Sequence, residues 1–475
     1  MRRLTKIICT LGPTAGTPQQ IEALARGGMN VARINLSHGN LDQHRKTIRM
    51  VKALNKKLAK EGAMPSCVGI LLDTMGAEVR TGTVTVPLTI KRGELVVFSP
   101  KALPKIKNQV ITVDHKEFAK DVQDAEMILL DNGKISFKLI STGKDGSVLA
   151  RANQDGTIGS RRHVNLPGAN LDMPSLTSGD WKSIETGADE GVDFLGLSFI
   201  REASEIEEVR TWLKKRKADI GLIAKIETRQ GVKNLDAIIG VSDGMMVARG
   251  DLGAEIPFEQ VPVVQDVMVE RSRAAGKPVI VATHMLESMI ENPMPTRAEV
   301  TDIAHAATTA TDMTMLSGET ASGAHPLLAL DAMDRVLRET ERHLSQSHKM
   351  LRAEIRNDRD AQAEAAVSLA LSSNVSAIVV MTRTGQTALD IARFRPYLPV
   401  IALTPEEKAQ RRLQIVFGVF PLLTKFSADP ERTVEHSMGT VKKAGLLKKG
   451  DKFVLVTDAK AHEKSYSTVQ VRTVG

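Results

Sequence analysis

The sequence predicts an α/β protein built on a (β/α)8 TIM barrel, and three features of the chain support this fold class. Between residues 5 and 316, eight apolar runs of strand length alternate with segments of helical character. The runs are apolar throughout, as expected for parallel strands that are buried on both faces. Polar residues gather just after these runs, at the strand ends where (β/α)8 barrels place their active sites.

The barrel elements follow one another in a regular order. We predict helices at about 18–26, 41–60, 178–189 and 204–217, and Gly27 with Gly28 ends the first of them. The eight predicted strands are residues 5–11, 29–36, 68–72, 192–199, 222–226, 244–248, 278–283 and 312–316.

Two further domains complete the predicted architecture. Residues 83–163 consist of short β-like runs separated by Gly, Asn and Asp, which predicts an inserted antiparallel, barrel-like β domain. Because this domain leaves and returns at the end of one strand, we interpret it as a lid on a catalytic barrel of residues 1–82 and 164–339. Residues 340–475 are predicted to form a C-terminal α/β domain. Its predicted elements are a helix at 361–372 and strands at 377–381, 400–403 and 453–457.

Composition narrows the class of function. The 475 residues are 42% hydrophobic and 25% charged, as in an ordinary globular protein. Aromatic residues make up only 3%, which argues against a protein that binds nucleic acid by base stacking. The net charge of +8 suits phosphorylated metabolites as well as nucleic acid, and a merely basic surface explains it equally well. We expect no nucleic-acid partner.

Location and redox state also follow from the sequence. No apolar segment reaches 18 residues, so we expect no membrane span and a cytoplasmic protein. Cys9 and Cys67 lie in apolar runs without metal-binding spacing, and we predict that both are reduced thiols in the core.

The ends of the fifth and sixth strands carry the strongest chemical signal. Side chains alternate along a strand, so Lys225 and Glu227 are expected to point to the same side. Asp251 and Gly250 follow the neighbouring strand. Two carboxylates suit Mg²⁺, and a lysine beside them can face developing negative charge. The alternative is a pair of surface salt bridges at two loop starts.

Other predicted strand ends carry polar groups at the same end of the barrel. These candidate site residues are Arg33, Asn35 and Ser37 after strand two, Asp73 and Thr74 after strand three, Thr283 after strand seven, and Ser317 and Glu319 after strand eight.

Nine motifs in chain order resemble the pyruvate kinase family. The likeness runs from about residue 5 to 330 and continues more weakly through MTRTGQTALDIARFRP to the end. The motifs are TKIICTLGPTAGT, GMNVARINLSHG, LLDTMGAEVRTG, HVNLPGANLDMPSLTSGD, LIAKIETRQGVKN, GMMVARGDLGAEI, KPVIVATHMLESM, NPMPTRAEVTDIA and MLSGETASGAHP.

This resemblance implies a glycolytic phosphotransferase that moves the phosphoryl group of phosphoenolpyruvate to ADP, giving pyruvate and ATP. By their match to the family motifs, Lys225 stabilises the transferring group and Arg33 grips phosphate. Glu227 and Asp251 hold Mg²⁺ or Mn²⁺. Gly250 and Asp251 offer backbone N–H groups to the substrate carboxylate. Thr283 is linked to enolate protonation through water, and Ser317 and Glu319 lie on the neighbouring substrate-binding loop.

The resemblance also implies sites for a monovalent cation and for the nucleotide. Asn35, Ser37, Asp73 and Thr74 match a K⁺ site, although Asn35 and Ser37 could instead cap the next helix. Glu78, together with Thr74 and Thr81, goes with K⁺ dependence in the family, so we predict K⁺ activation. The predicted nucleotide contacts are Asn35, Ser37, His38, Arg80 and Arg162; Arg162 could equally be a solvated charge near the lid hinge, and His38 is not expected to act as an acid or base.

Some positions depart from the family pattern. Met75 and Ala77 stand where relatives carry lysine and proline, and His284 replaces a glutamine beside Thr283. His305 replaces an asparagine, and Thr309 with Ala310 replaces Asp-Gly. We expect these changes to affect rate or nucleotide preference rather than to abolish activity.

The predicted C-terminal domain has the position of a regulatory domain in the family, which is usually a homotetramer. The chain's end lacks the glycine-rich turn common in relatives, so a sugar phosphate other than fructose 1,6-bisphosphate, or no effector, is expected. Two rival functions are lyase or aldol chemistry on an enolate and a non-catalytic sensor. The candidate phosphate loop, which could be a plain helix cap instead, is Thr382, Arg383, Thr384, Gly385, Gln386 and Thr387.

Overall fold

The computed structural model describes residues 2–62, 64–103, 108–131, 133–169, 173–346, 351, 353–461 and 464–475. Its strands are β1 (Lys6–Thr10), β2 (Val31–Asn35), β3 (Gly69–Asp73), β4 (Val79–Arg80), β5 (Leu88–Ile90), β6 (Leu95–Ser99), β7 (Gln109–Thr112), β8 (Ile128–Leu130), β9 (Ile135–Thr142), β10 (Val148–Ala152), β11 (Gly156–Ile158), β12 (His163–Asn165), β13 (Phe194–Leu197), β14 (Gly221–Ile226), β15 (Gly244–Ala248), β16 (Val279–Ala282), β17 (Met313–Leu316), β18 (Ala377–Met381), β19 (Val400–Thr404), β20 (Val419–Leu423), β21 (Lys452–Ala461) and β22 (Lys464–Thr473).

The helices of the same described residues complete the elements. They are α1 (Pro18–Gly27), α2 (Leu41–Glu61), α3 (Phe118–Asp121), α4 (Ser178–Glu190), α5 (Ala203–Lys215), α6 (Arg229–Lys233), α7 (Leu235–Val241), α8 (Arg249–Glu255), α9 (Val261–Ala274), α10 (Arg297–Thr308), α11 (Gly318–Ala321), α12 (Pro326–Ser345), α13 (Asp358–Ser372), α14 (Gln386–Ala392), α15 (Glu407–Arg412) and α16 (Pro430–Lys443). None of the described helices is long and apolar enough to cross a membrane.

The predicted (β/α)8 barrel is confirmed. Eight parallel strands close in the order β1-β17-β16-β15-β14-β13-β3-β2. Every residue of β1, β3, β14 and β15 is buried, because helices cover the barrel outside and side chains fill it inside. All eight predicted strands are present, with ends displaced by at most two residues. The first helix, α1, begins at a capping box formed by Thr17 and Gln20 and ends at Gly28, which has positive φ.

The floor of the barrel, at the amino ends of the strands, repeats one hydrogen-bonding arrangement four times. An Asn or Asp stands just before β2, β13, β15 and β17. Its side-chain oxygen accepts the backbone N–H of the first or second residue of the preceding strand of the barrel. An arginine also binds each of these side chains. The four sets are Asn30 with Ile7 and Arg3, Asp193 with Ile70 and Arg411, Asp243 with Leu222 and Arg210, and Asp312 with Val279 and Arg395.

This arrangement also attaches the C-terminal segment to the barrel. Arg395 lies just after α14 and Arg411 lies in α15, so both belong to the C-terminal segment. Arg3 and Arg210 belong to the barrel sequence. Lys6, at the start of β1, donates to the carbonyl oxygen of Val419 at 2.6 Å and lies over the ring of Phe420. The C-terminal sheet therefore packs beneath the barrel, at the opposite end from the predicted active site.

The inserted β region forms a seven-stranded sheet, β4-β12-β8-β9-β10-β6-β7, and a two-stranded sheet, β11-β5. Its own core is built around Phe98, Phe118 and Phe137. Pairing is antiparallel except between β6 and β7, which are parallel. For that one pair the prediction of an antiparallel domain is wrong: residues 100–108 separate the two strands in the chain, whereas a tight hairpin, which requires antiparallel pairing, needs only about two residues.

The C-terminal sheet has the order β20-β19-β18-β21-β22, with β22 antiparallel to β21. The three predicted strands and the predicted helix are present, and β20 and β22 are additional. The boundary predicted between residues 339 and 340 falls inside α12. The domain limits themselves remain predictions.

Candidate active site

Lys225 is the centre of the candidate site. Near the end of the buried strand β14, its Nζ lies 3.1 Å from Asp73 Oδ1, 3.1 Å from Glu227 Oε1 and 2.6 Å from Ser198 Oγ. Burial acts to lower the pKa of the Lys225 ammonium, but the carboxylates of Asp73 and Glu227 outweigh it and the net shift is upward. Lys225 is therefore a fixed, buried positive charge at the strand ends. The alternative of a surface salt bridge is wrong for this lysine.

The two predicted metal ligands lie in different electrostatic surroundings. Glu227 is buried, and its Oε2 accepts the Phe199 N–H at 2.6 Å. Burial raises the pKa of Glu227 to about 7; Lys225 opposes this shift and Asp251 adds to it. For Asp251, burial acts to raise the pKa, but His163, whose Nδ1 lies 3.5 Å from Oδ1, reverses the shift and lowers it. Burial thus outweighs the attraction of Lys225 at Glu227, and a bound cation would favour the charged form of this carboxyl group.

No group of three or more His, Cys, Asp or Glu side chains forms a metal cage among the described residues. A pair of carboxylates is nevertheless a normal protein contribution to Mg²⁺, which takes its remaining ligands from substrate phosphate and water. The chemistry of Glu227 and Asp251 therefore fits a substrate-bound divalent ion.

The predicted phosphate and K⁺ residues meet on β2 and β3. Arg33 Nε donates to Asp73 Oδ2 at 2.6 Å, and Asn35 and Asp73 are register partners on the two strands. Thr74 is buried, and its Oγ1 accepts the Ser198 N–H. The alternative role for Asn35 and Ser37 is wrong, because Asn40 is the residue that caps α2. Asn35 Oδ1 instead accepts the N–H of Ser37.

Thr283 adopts the strained backbone conformation often found at functional sites. Its φ is +67°, and that of the following His284 is +54°. Thr283 Oγ1 accepts the Gly250 N–H at 2.7 Å and donates to the Ala282 carbonyl at 2.6 Å. The Gly250 N–H predicted for the substrate carboxylate is therefore bound to Thr283 in this structure.

Arg249 holds the Thr283 loop in place. Its Nη2 donates to the Thr283 carbonyl oxygen at 2.6 Å, and its Nη1 pairs with Asp302 at 2.7 Å. Because a residue with positive φ persists only where its surroundings fix it, these bonds stabilise the conformation of Thr283.

The two residues predicted after strand eight differ in their surroundings. Glu319 is fully buried, and its oxygens accept the N–H groups of Leu286 and Ser317. Burial raises the pKa of Glu319, and these backbone hydrogen bonds oppose the shift. Ser317 Oγ is buried without a hydrogen-bond partner among the described residues, and it lines the cavity beside Arg33. Ser317 is free to bind a ligand, whereas Glu319 shapes the loop.

A cavity of about 690 Å³ opens beside this site, between the β1–α1 connection and α2. Arg33, Asn35, His38 and Ser317 line it, together with His44, Pro13 and Met50. Its size is that of a small-molecule site. The other predicted nucleotide contacts do not line this cavity: Ser37 adjoins it in the chain, Arg80 on β4 pairs with Glu78, and Arg162 is half-exposed, 3.7 Å from Asp131.

Four further residues contact the site that the sequence analysis did not single out. Thr10 accepts a hydrogen bond from Arg33, and Ser198 accepts one from Lys225. Both stand at the ends of strands one and four, so extending the strand-end argument to all eight strands identifies them. Arg249 directly follows β15, so the same argument includes it, whereas His163 begins a strand of the inserted region and has no such signal.

The candidate effector loop is compact. Thr382 is buried and accepts the N–H of Gly385, which has a φ of +92°. Thr384 accepts the N–H of Gln386, and the Arg383 guanidinium stacks on Phe426. These contacts fit a helix cap as well as an anion site. Thr387 is half-buried.

Most departures from the family pattern lie away from Lys225. His305 pairs with Asp266 at 2.8 Å on the barrel surface, and Thr309 bonds back to carbonyl oxygens of α10. The Met75 N–H donates to Asp180. Met75 and His284 adjoin site residues: Met75 follows Thr74, and His284 follows Thr283 and lies near Gly250.

A closed parallel barrel with a buried lysine between carboxylates at its strand ends defines a (β/α)8 enzyme that handles anionic substrates. The family models for the barrel domain and the alpha/beta domain of pyruvate kinase match residues 2–330 and 360–472. Plastidial pyruvate kinase 2 of Arabidopsis thaliana is 39% identical over 479 residues, covering 100% of this chain and 82% of the relative. The pyruvate kinase of Thermotoga maritima is 37% identical over 474 residues, covering 99% and 100%, and that of Bacillus licheniformis is 37% identical over 480 residues, covering 100% and 81%.

The chain belongs to the pyruvate kinase family. It is a phosphotransferase whose reaction moves the phosphoryl group of phosphoenolpyruvate to ADP, giving pyruvate and ATP.

Proposed function

We propose that Lys225 stabilises the phosphoryl group during this transfer. The main support is the position of the Lys225 ammonium. Asp73, Glu227 and Ser198 hold Nζ at the strand ends, so no reorganisation is needed when charge develops on the transferring group. Phosphoryl transfer depends mainly on positioning and charge neutralisation, which a fixed buried cation supplies. Arg33, anchored by Asp73, adds a second cation for the phosphate.

The metal requirement is proposed on the same chemical grounds. The pyruvate kinase family needs a divalent metal and K⁺. In this chain Glu227 and Asp251 would hold Mg²⁺ or Mn²⁺, which supplies charge neutralisation at the substrate phosphate when bound. The burial of Glu227 supports this assignment, because a cation beside a desolvated carboxylate favours its charged form. Asn35, Ser37, Asp73 and Thr74 would hold K⁺ beside them.

The second half of the reaction requires a proton for the enolate. We assign this role to Thr283, acting through water, with the N–H groups of Gly250 and Asp251 orienting the substrate carboxylate. The 2.7 Å hydrogen bond between Gly250 and Thr283 supports the assignment, since it puts the hydroxyl and the amide in one place. Substrate binding would then exchange this internal hydrogen bond for one to the carboxylate.

ADP would occupy the cavity of about 690 Å³ beside Arg33. Asn35, His38 and Ser317 reach it directly, and Ser37 adjoins them in the chain. Arg80 lies on β4 and Arg162 directly before β12, the two strands that join the inserted β region to the barrel, and both would contact the nucleotide from that side.

The oligomeric state, the effector and the location of the protein are also proposals. A homotetramer is supported by apolar side chains left in solvent, since Phe258 is 84% and Met294 72% exposed. A sugar-phosphate effector at residues 382–387 and a cytoplasmic location also stay proposals. They draw only on the resemblance and on the basic side chain of Arg383.

The decisive experiment is a lactate-dehydrogenase-coupled assay with phosphoenolpyruvate, ADP and Mg²⁺. Pyruvate formation is expected in wild type, with higher rates in K⁺ than in a K⁺-free, Na⁺-free buffer. Lys225→Met should abolish it, because the charge that faces the phosphoryl group is gone. Lys214→Met, on the outer helix α5, is the matched control and should keep full activity. Turnover that survives in Lys225→Met contradicts the assigned role, and equal rates without K⁺ contradict the cation site.

A further inference from the structure

A second cationic site lies at the opposite end of the barrel, where the connection before β16 meets the end of α14. The lining includes Arg273, Lys277, Arg393 and Arg395, and the free volume is about 10 Å³. This volume is roughly what one water-sized particle needs. The cleft is therefore too small for a nucleotide or sugar as it stands.

The two nearby carboxylates, Asp312 and Asp360, already bind other groups. Asp312 accepts the N–H groups of Val279 and Phe417 and pairs with Arg395 at 2.6 Å. Asp360 pairs with Arg393 at 3.0 Å and with Arg356 at 3.3 Å. Both acids are buried. Among the described residues that line the cleft, four carry a positive charge and Asp312 carries the one negative charge.

Burial disfavours the charged form of two cations of the cleft. Burial lowers the pKa of Arg273, and the charge of Arg395 lowers it further. Burial also lowers the pKa of Lys277, whose Nζ donates to a neutral acceptor, the Ser242 carbonyl, at 2.6 Å. An anion in the cleft would stabilise both charged forms.

Arg393 supplies an independent indication of a ligand. Its side chain is only 2% exposed, and its Nε has no hydrogen-bond partner in the part of the chain that the structure describes. A buried guanidinium N–H without an acceptor costs free energy, so such groups normally bind a partner.

We propose that this cleft binds a small inorganic anion of the size of chloride, between Lys277 and Arg273 on the barrel side and Arg393 and Arg395 on the C-terminal side. The site is separate from the substrate site and does not depend on the catalytic roles proposed above. Such an anion joins the barrel floor to the C-terminal sheet. It lies at the base of β16 and β17, whose other ends lead to Thr283 and Ser317.

The test in solution replaces gluconate by chloride at constant ionic strength and follows the unfolding midpoint of the full chain. Chloride should raise the midpoint of wild type by mass action. In Lys277→Met and Arg273→Met the apparent chloride affinity should fall at least about tenfold, the effect of losing one charged hydrogen bond. Arg271→Met is the matched control, because it removes an exposed charge from the same helix, where Arg271 pairs with Asp236. It should keep the wild-type response.

Two further arms separate the possible outcomes. Lys277→Arg keeps the charge and should keep the chloride response, which distinguishes loss of the site from faulty folding in Lys277→Met. Crystals soaked in bromide should show an anomalous peak within hydrogen-bonding distance of Lys277 and Arg393. The proposal is wrong if the methionine variants and wild type respond alike or if bromide avoids the cleft. It is also wrong if a sugar phosphate, and not chloride, gives the shift that the variants lose.

Discussion

Replacing Asp312 by asparagine should weaken the fold far more than the same change at Asp243. Both aspartates accept the N–H that begins the neighbouring strand, and both pair with an arginine. Their surroundings differ. The side chains of Asp312 and Arg395 are 2% and 3% exposed, whereas those of Asp243 and Arg210 are 40% and 31% exposed. Replacing the aspartate therefore leaves a buried, unpaired charge, that of Arg395, only in the first pair.

The magnitude follows from that difference. Breaking a buried ion pair from one side costs about 3–5 kcal/mol, because the remaining charge stays desolvated. Asn also presents an amide N–H₂ where Asp312 accepts three donors, which leaves at least one of them unsatisfied at about 1–3 kcal/mol. The expected loss of stability for Asp312→Asn is thus at least about 4 kcal/mol. For Asp243→Asn it is about 1 kcal/mol or less, the value of an exposed pair.

Urea unfolding followed by tryptophan fluorescence measures both changes. The chain has two tryptophans, and both lie on barrel helices, so the signal reports the barrel. Adding Arg395→Met to Asp312→Asn should restore part of the midpoint, because the double variant no longer buries a lone charge. Equal midpoints for the two single variants, or no recovery in the double variant, would refute the argument from burial.

Two other predictions concern Arg249 and Lys6. Arg249→Met releases the Thr283 carbonyl and should lower kcat about 10²-fold, the effect expected of an ångström-scale displacement, with KM for ADP unchanged. Arg249→Lys should recover part of this loss. A change confined to KM would contradict the role assigned to Arg249. Burial lowers the pKa of Lys6 from its usual 10.5 to about 7. The unfolded chain therefore binds this proton between about pH 7 and 10 while the folded chain does not, so stability rises with pH over that window. Lys6→Met should remove this rise in unfolding midpoint, and an identical slope in the variant would contradict the assignment.

The strands and the strand-end residues could be predicted because both depend on local sequence. A buried parallel strand is a short apolar run, and its carboxyl end is marked by the first polar residue after it. Ser198 and Thr10 were within reach of the same reasoning. β20 was harder, because Pro421 interrupts its apolar run. A proline is tolerated there since β20 lies at the edge of its sheet, which only the topology reveals.

Contacts between distant parts of the chain could not be predicted, even where their residues were visible. Asn30, Asp193, Asp243 and Asp312 each stand directly before a barrel strand in the sequence, but such residues also occur in ordinary turns. Their common role depends on consecutive strands being neighbours in a closed barrel. For Asp193 it also depends on an arginine 218 residues away. The same long-range packing places Arg393 and Arg395 opposite Lys277, so the basic cleft becomes apparent only when the C-terminal sheet is seen beneath the barrel.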